Sequence, residues 1–134
     1  MSRYPLFDPS QIELGDVAHR GHDLQVHECL GLVRPQPPYE HPELPELVQR
    51  IVVARQEKRP VILMLGAHPI KLGLSRFLID LVERGVVTHV AGNGAVLIHD
   101  YELATLGGTS EDVARWIRTG HFGLWHETGT LNDM

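Results

Sequence analysis

The residues able to do chemistry in this chain gather in two short stretches, Gly66-Ala67-His68 and Gly92-Asn93-Gly94, and on the segment after the second, which carries His99, Asp100 and Glu102. Each glycine stretch closes an apolar run, VILMLG first and VVTHVAG second, and an amphipathic segment follows. A parallel sheet delivers backbone amides and side chains to a ligand crevice in this way, at the carboxyl ends of its strands. Glycine admits a ligand close to the backbone, and a helix starting just after Asn93 turns its positive end toward the same place. An adenine dinucleotide, a phosphate or a carboxylate suits such a site. GNGA lacks the full G-x-G-x-x-G spacing of the dinucleotide fingerprint, and glycines at strand–helix turns are also common for steric reasons alone.

Gly66, Ala67, His68, Gly92, Asn93 and Gly94 are therefore the candidate cofactor contacts, His68 because it directly follows a strand-end glycine. His99 and Glu102, three residues apart, share a helix face. Carboxylates at Asp100 and Glu102 stand out against the apolar YELATLGG. With His99 they form the candidate catalytic set, facing a cationic or hydroxylated small-molecule substrate. His19, His22 and His27, near Asp23 and Glu28, invite a metal site. Their spacing prescribes no convergent ligand set, and neither H-E-x-x-H nor a Cys/His pairing occurs, so no metal is expected.

The elements that must position these groups are legible in outline. Residues 1–42 read as an irregular segment with loops and a short strand or helix, and the proline-rich RPQPPYEHPELP as an extended connector. From Glu43 to near Lys58, Leu44, Leu47, Ile51 and Val52 keep helical spacing, with Pro45 in the first turn. VILMLG reads as a strand buried on both faces, since its apolarity is continuous rather than alternating. Leu72, Leu74, Phe77, Leu78, Leu81 and Val82 line one face of a helix closed by Gly85. VVTHVAG is a second strand, and Gly92-Asn93-Gly94 a turn that demands glycine. A helix follows over Ala95 to Leu106, and Thr109 or Ser110 caps another, DVARWIRTG, that Gly120 ends. The alternation places an α/β core at 60–120 within a single domain over 1–134. Two strands make a poor sheet, so either the N-terminal third supplies more or the chain needs a partner.

Composition excludes several classes. A net charge of −5, an isoelectric point near 5.9 and no basic cluster argue against nucleic acid. No window approaches the roughly 18 apolar residues of a membrane span. The opening MSRYPLFDPSQIELGD has no basic start followed by an apolar run, and the lone Cys29 forms no internal disulfide, so the expected compartment is the cytoplasm.

The ordered run VILMLGAHPIKLGLSRFLIDLVERGVVTHVAGNGAVLIHDYELA resembles the cofactor-binding core of deoxyhypusine synthase and its bacterial homologues. In that family an apolar strand ends in Gly, and a polar Thr-Ser-Asn segment, a second Gly, a helix, a strand VDVLVTT and an Ala-Gly-Gly turn with acidic residues follow. Gly66, Gly73, the helix through Arg84, VVTHVAG, the Gly92–Gly94 turn and Asp100 keep that order. The resemblance implies a Rossmann-like parallel sheet with flanking helices, NAD as cofactor, transferase chemistry on an amine or other small polar substrate, and a homo-oligomer with sites at subunit interfaces. Ala67-His68-Pro69-Ile70-Lys71 replaces Thr-Ser-Asn, and neither Lys58 nor Lys71 matches the family's catalytic lysine. The family's second half has no counterpart here. The expectation is an incomplete or truncated form, completed by a complementary second-half chain or standing as a non-catalytic ligand-binding or oligomerisation module.

Overall fold

A computed structural model describes residues 3–33 and 39–134. The 34–38 part of the expected connector lies outside the described residues. The chain folds as two compact units, one over 24–109 and one joining the N-terminal residues through Asp23 to Ser110–Met134. Helices and small two-stranded sheets make up both secondary-structure classes, so the protein is mixed α/β.

In the 24–109 unit, helix α1 spans Leu44–Gln56, with Pro45 in the first turn as its missing amide allows. Strand β2 (Ile62–Leu65) pairs in parallel with β3 (His89–Gly92), Leu65 standing opposite Gly92. Thr88 locks the lead-in: its Oγ1 accepts the Val61 N–H at 2.9 Å. The short strand β1 (Leu24–Gln25) pairs antiparallel with β4 (Gly108–Thr109), so among the described residues the N-terminal third adds no strand to the β2–β3 pair. Leu103, Ile70 and Cys29 form the buried centre, flanked by Leu24, Leu78 and Val96.

The helix expected after β2 is broken into α2 (His68–Lys71) and α3 (Ser75–Glu83). Gly73 sits between them at φ +74°, with Cys29 Cα only 3.0 Å from where a Cβ would stand, and its carbonyl accepts the Leu30 N–H at 2.9 Å. A left-handed residue ends a helix, and that close approach of chain to chain fixes it there. The double burial expected of β2 is not found: Leu63 and Leu65 are half-buried, whereas Ile62 is 59% and Met64 80% exposed. Only one face of the strand is packed. Gly92-Asn93-Gly94 needs no left-handed residue, since neither glycine has a positive φ; Gly92 is small because a Cβ would lie 3.0 Å from Val96 Cγ2.

Helix α4 (Gly94–Leu106) begins at Asn93, whose side chain accepts the Val96 N–H, and ends at Gly107 with φ +73°. Both ends match what the residue types dictate.

In the other unit, Gly15 and Trp125 form an isolated parallel bridge. Helix α5 (Val113–Thr119) is capped by Asp112, which accepts the Arg115 N–H, rather than by Thr109 or Ser110. Thr109 belongs to β4 instead. Helix α6 (His126–Gly129) and a following 3₁₀ turn give the C-terminal stretch more order than its composition suggests. Trp116 and Trp125 meet edge to face at 4.9 Å, and Trp125 Nε1 donates to Glu111 Oε2 at 2.9 Å. This arrangement suits an aromatic pair with one polar handle. No helix among the described residues is long and apolar enough to cross a membrane.

Candidate functional site

The parallel register sets the geometry. Because Leu65 lies opposite Gly92, the two glycine stretches leave the sheet side by side at its carboxyl edge, with strands spaced about 4.8 Å apart. Gly66 leads through Ala67 into α2, and His68 is the exposed first residue of that helix. Asn93 caps α4 by holding Val96, so the N–H groups of Gly94 and Ala95 lie in the first turn, where the helix offers them no partner.

The glycines at this edge differ in what requires them. Gly92 is fixed by Val96, but Gly66 and Gly94 have no positive φ and nothing within 4 Å of a built Cβ. Backbone conformation and internal packing therefore leave both positions open to any small side chain. What a missing Cβ still provides is close access to the backbone from outside.

The three candidate catalytic residues part company along α4. His99 and Glu102 converge on Thr109, a residue whose place in Thr-Ser-Glu-Asp suits a helix cap. Thr109 Oγ1 donates to Glu102 Oε2 at 2.6 Å and lies 2.8 Å from His99 Nδ1, while His99 Nδ1 and Glu102 Oε2 are 4.0 Å apart. Glu102 is 1% exposed and Thr109 is fully buried. Thr109 has one hydroxyl proton, and against an ionised Glu102 that proton is committed to the carboxylate. Its oxygen is then left to accept, and a His99 tautomer with its proton on Nδ1 completes the chain. The result is a carboxylate–hydroxyl–imidazole chain in which the interior end is held and the His99 ring is only partly buried. Its sequence signal was faint: Gly107-Gly108 turns the chain back so that Thr109 meets the α4 face one and two turns earlier.

Asp100 stands elsewhere, as a step of 100° per residue requires. It lines an apolar groove of about 260 Å³ between α3 and α4, together with Leu65, Ile79, Val82, Val90 and Val96. Ser75 also lines this groove, and its buried Oγ has no hydrogen-bond partner among the described residues. His99 and Glu102 are not among the lining residues. Among the described residues no cluster of three or more His, Cys, Asp or Glu side chains has the form of a metal site. Arg20 NH2 lies 2.9 Å from His22 Nδ1, and His89 is exposed on β3 beside Thr88.

No protein-family model, no curated protein and no solved structure matches this chain.

Proposed function

We propose that the chain is the cofactor-binding part of a deoxyhypusine synthase-like, NAD-dependent enzyme acting on an amine or other small polar substrate. One observation carries the reading. At the carboxyl edge of the parallel β2–β3 pair, Gly66 and Gly94 lack a Cβ that neither their φ nor their surroundings forbid. A ligand lying on the backbone accounts for that economy. The residues there fit a pyrophosphate: Gly94 and Ala95 N–H groups open the 13-residue α4, whose positive end favours an anion.

On this reading β2 and β3 are the central strands of an incomplete Rossmann-like parallel sheet, and further strands come from a complementary chain or a second copy. Gly66, Ala67, His68, Gly92, Asn93 and Gly94 lie against the dinucleotide. Bound NAD supplies a hydride acceptor. Asp100 faces the cationic or hydroxylated part of the substrate. His99, held through Thr109 by Glu102, exchanges a proton at Nε2, and the buried carboxylate stabilises the imidazolium that forms.

A second reading has its own support. The uncovered face of β2, with Ile62 and Met64, suits a non-catalytic α/β module whose task is association with another subunit. Calorimetric titration with NAD separates the two: heat of binding that is lost when Gly94 is replaced by Val favours the cofactor reading. Absence of heat at millimolar NAD leaves the association module.

A further inference from the structure

The amino ends of β2 and β3 border a concavity of about 400 Å³ that the cofactor edge does not use. Val61 leads into β2 there and Thr88 into β3, and Thr88 Oγ1 joins them, accepting the Val61 N–H at 2.9 Å and donating to the Val61 carbonyl at 3.1 Å. Four-residue strands rising about 3.3 Å per residue set this end roughly 13 Å from the two glycine stretches. Arg55, Lys58 and Arg59 line the concavity from the end of α1, and His89 lines it from β3. In sequence Gln56 and Glu57 interrupt the cations and the histidine is remote, so the cluster is assembled by the fold. Among the described residues no acidic side chain lines it, although acids outnumber Lys and Arg by 17 to 12 in the chain.

Finishing α1 does not require these cations. The carbonyls at its end are taken by backbone amides: Val53 accepts the Glu57 N–H at 2.9 Å, Ala54 the Arg59 N–H at 2.8 Å and Arg55 the Lys58 N–H at 3.2 Å. Attraction to the negative end of the helix accounts for Arg55 in its last turn, whereas Lys58 and Arg59 lie beyond it. Lys58 stands at φ +55°, a left-handed conformation that glycine takes freely and a Cβ disfavours. Its ammonium has no hydrogen bond or ion pair among the described residues. Arg55 is anchored by one donor to the Arg84 carbonyl, which leaves most of its five N–H groups to spare. Arg59 is tied to Glu57 at 2.9 Å, but the two side chains are 71% and 47% exposed, so the pair costs little to exchange for a better anion. The concavity therefore offers a preset guanidinium, an unpartnered ammonium and an exchangeable guanidinium, with a His89 ring N–H present in either neutral tautomer.

We propose that this concavity binds a phosphate-bearing small molecule, its phosphate held by Arg55, Lys58 and Arg59 and the rest of its body lying over Val61. One guanidinium satisfies a carboxylate, with its single charge and two oxygens; three convergent cations suit a dianion with three acceptor oxygens. The volume exceeds that of a bare phosphate and lies in the range of roughly 300–1,000 Å³ usual for small-molecule pockets. A net charge of −5 repels an extended polyanion, and the cations are confined to one concavity, so a small ligand fits better than nucleic acid. The ligand touches both the connection before β2 and the one before β3, and its binding stabilises the 24–109 unit by mass action. None of this rests on the cofactor reading, which concerns the other end of the strands, and either can fail without the other.

Titrating the isotope-labelled chain with phosphoserine and, separately, with inorganic pyrophosphate, followed by amide chemical shifts, locates the site. Saturable shifts confined to residues 55–61 and 84–89, with half-saturation at millimolar concentration or below, are expected, and serine produces none. Lys58→Gly weakens binding by on the order of tenfold, the loss of one charge-assisted contact, and leaves the melting temperature unchanged or higher, because glycine suits the left-handed backbone. Lys58→Arg keeps the affinity. NAD titrated in the same way separates the two sites, since shifts at residues 92–96 report the carboxyl edge and bear on the cofactor reading alone. No saturable shift at tens of millimolar of either probe overturns the proposal, as does an equal response to sodium chloride at matched ionic strength or a Lys58→Gly protein that binds like the parent. A phosphoserine peptide that binds far more tightly than phosphoserine overturns the small-molecule assignment in favour of a protein partner.

Discussion

Replacing Thr109 with valine removes one oxygen from the interior and almost nothing else, and the structure indicates a large effect. The hydroxyl donates at 2.6 Å to Glu102 and sits 2.8 Å from His99 Nδ1, at a position with no solvent access. A hydrogen bond to a charged group is worth about 1.5–3 kcal/mol and a neutral one about 1 kcal/mol. Valine preserves the volume, so no cavity term is added, and Thr109→Val should cost about 3 kcal/mol. Thr109→Ser keeps the hydroxyl and deletes a methyl group, which costs about 1 kcal/mol. With a urea m-value of about 2 kcal/mol/M, the valine midpoint falls by roughly 1.5 M and the serine midpoint by roughly 0.5 M. Far-UV circular dichroism with urea follows both. Nitrogen NMR of the imidazoles supplies a second readout: His99 carries its proton on Nδ1 in the unmodified protein and in Thr109→Ser, and loses that preference in Thr109→Val. If valine is tolerated as well as serine and the tautomer is unchanged, the hydroxyl link between Glu102 and His99 has no energetic weight.

Other consequences follow from single positions. Gly66→Ala and Gly94→Ala should leave the thermal midpoint unchanged or raise it by the equivalent of up to about 1 kcal/mol, since alanine restricts the unfolded chain and meets nothing in the folded one; NAD affinity should fall by on the order of tenfold. Gly73→Ala should destabilise by more than about 2 kcal/mol in the same melting experiment, because φ is +74° and Cys29 Cα lies 3.0 Å from the new methyl group. Glu127 has its pKa lowered below the ordinary value of 4.5, chiefly because the carboxylate accepts the Val17 N–H at 2.9 Å, with His126 and Arg20 adding attraction. A lowered folded value means stabilisation that is complete above 4.5 and lost as pH falls through the folded pKa. Tryptophan-monitored unfolding should therefore show Glu127→Gln less stable than the parent at pH 6, with the gap closing toward pH 3.

What the residues disclosed was mostly where a backbone type is compulsory. Asn93 and Gly107 bracket α4 because one supplies an acceptor for an orphan N–H and the other a left-handed residue; the helix span was readable, but Asn93's capping role was not, since the stretch reads as a glycine-demanding turn. Pro45 marks the first turn of α1 in the same local way. The break between α2 and α3 was not readable, since Gly73 lies in a segment with sound helical periodicity and its φ is fixed by contact with Cys29, far away in sequence. The apolar run of β2 suggested a strand covered twice, yet one face is bare; periodicity reports what a strand is suited to, and the covering layer is a separate matter. At the candidate site, the His99–Glu102 pairing followed from a three-residue spacing. Thr109, which joins them, did not, because Thr-Ser-Glu-Asp before a helix satisfies the local rule for a cap and Asp112 takes that role instead.

The central claim is that the carboxyl edge of β2 and β3 receives NAD, and calorimetric titration of the intact chain with NAD tests it most directly. Saturable heat at or below millimolar cofactor, abolished by Gly94→Val in a variant that remains folded, is the predicted result. A flat titration at millimolar NAD, with no accompanying rise in the melting temperature, contradicts it.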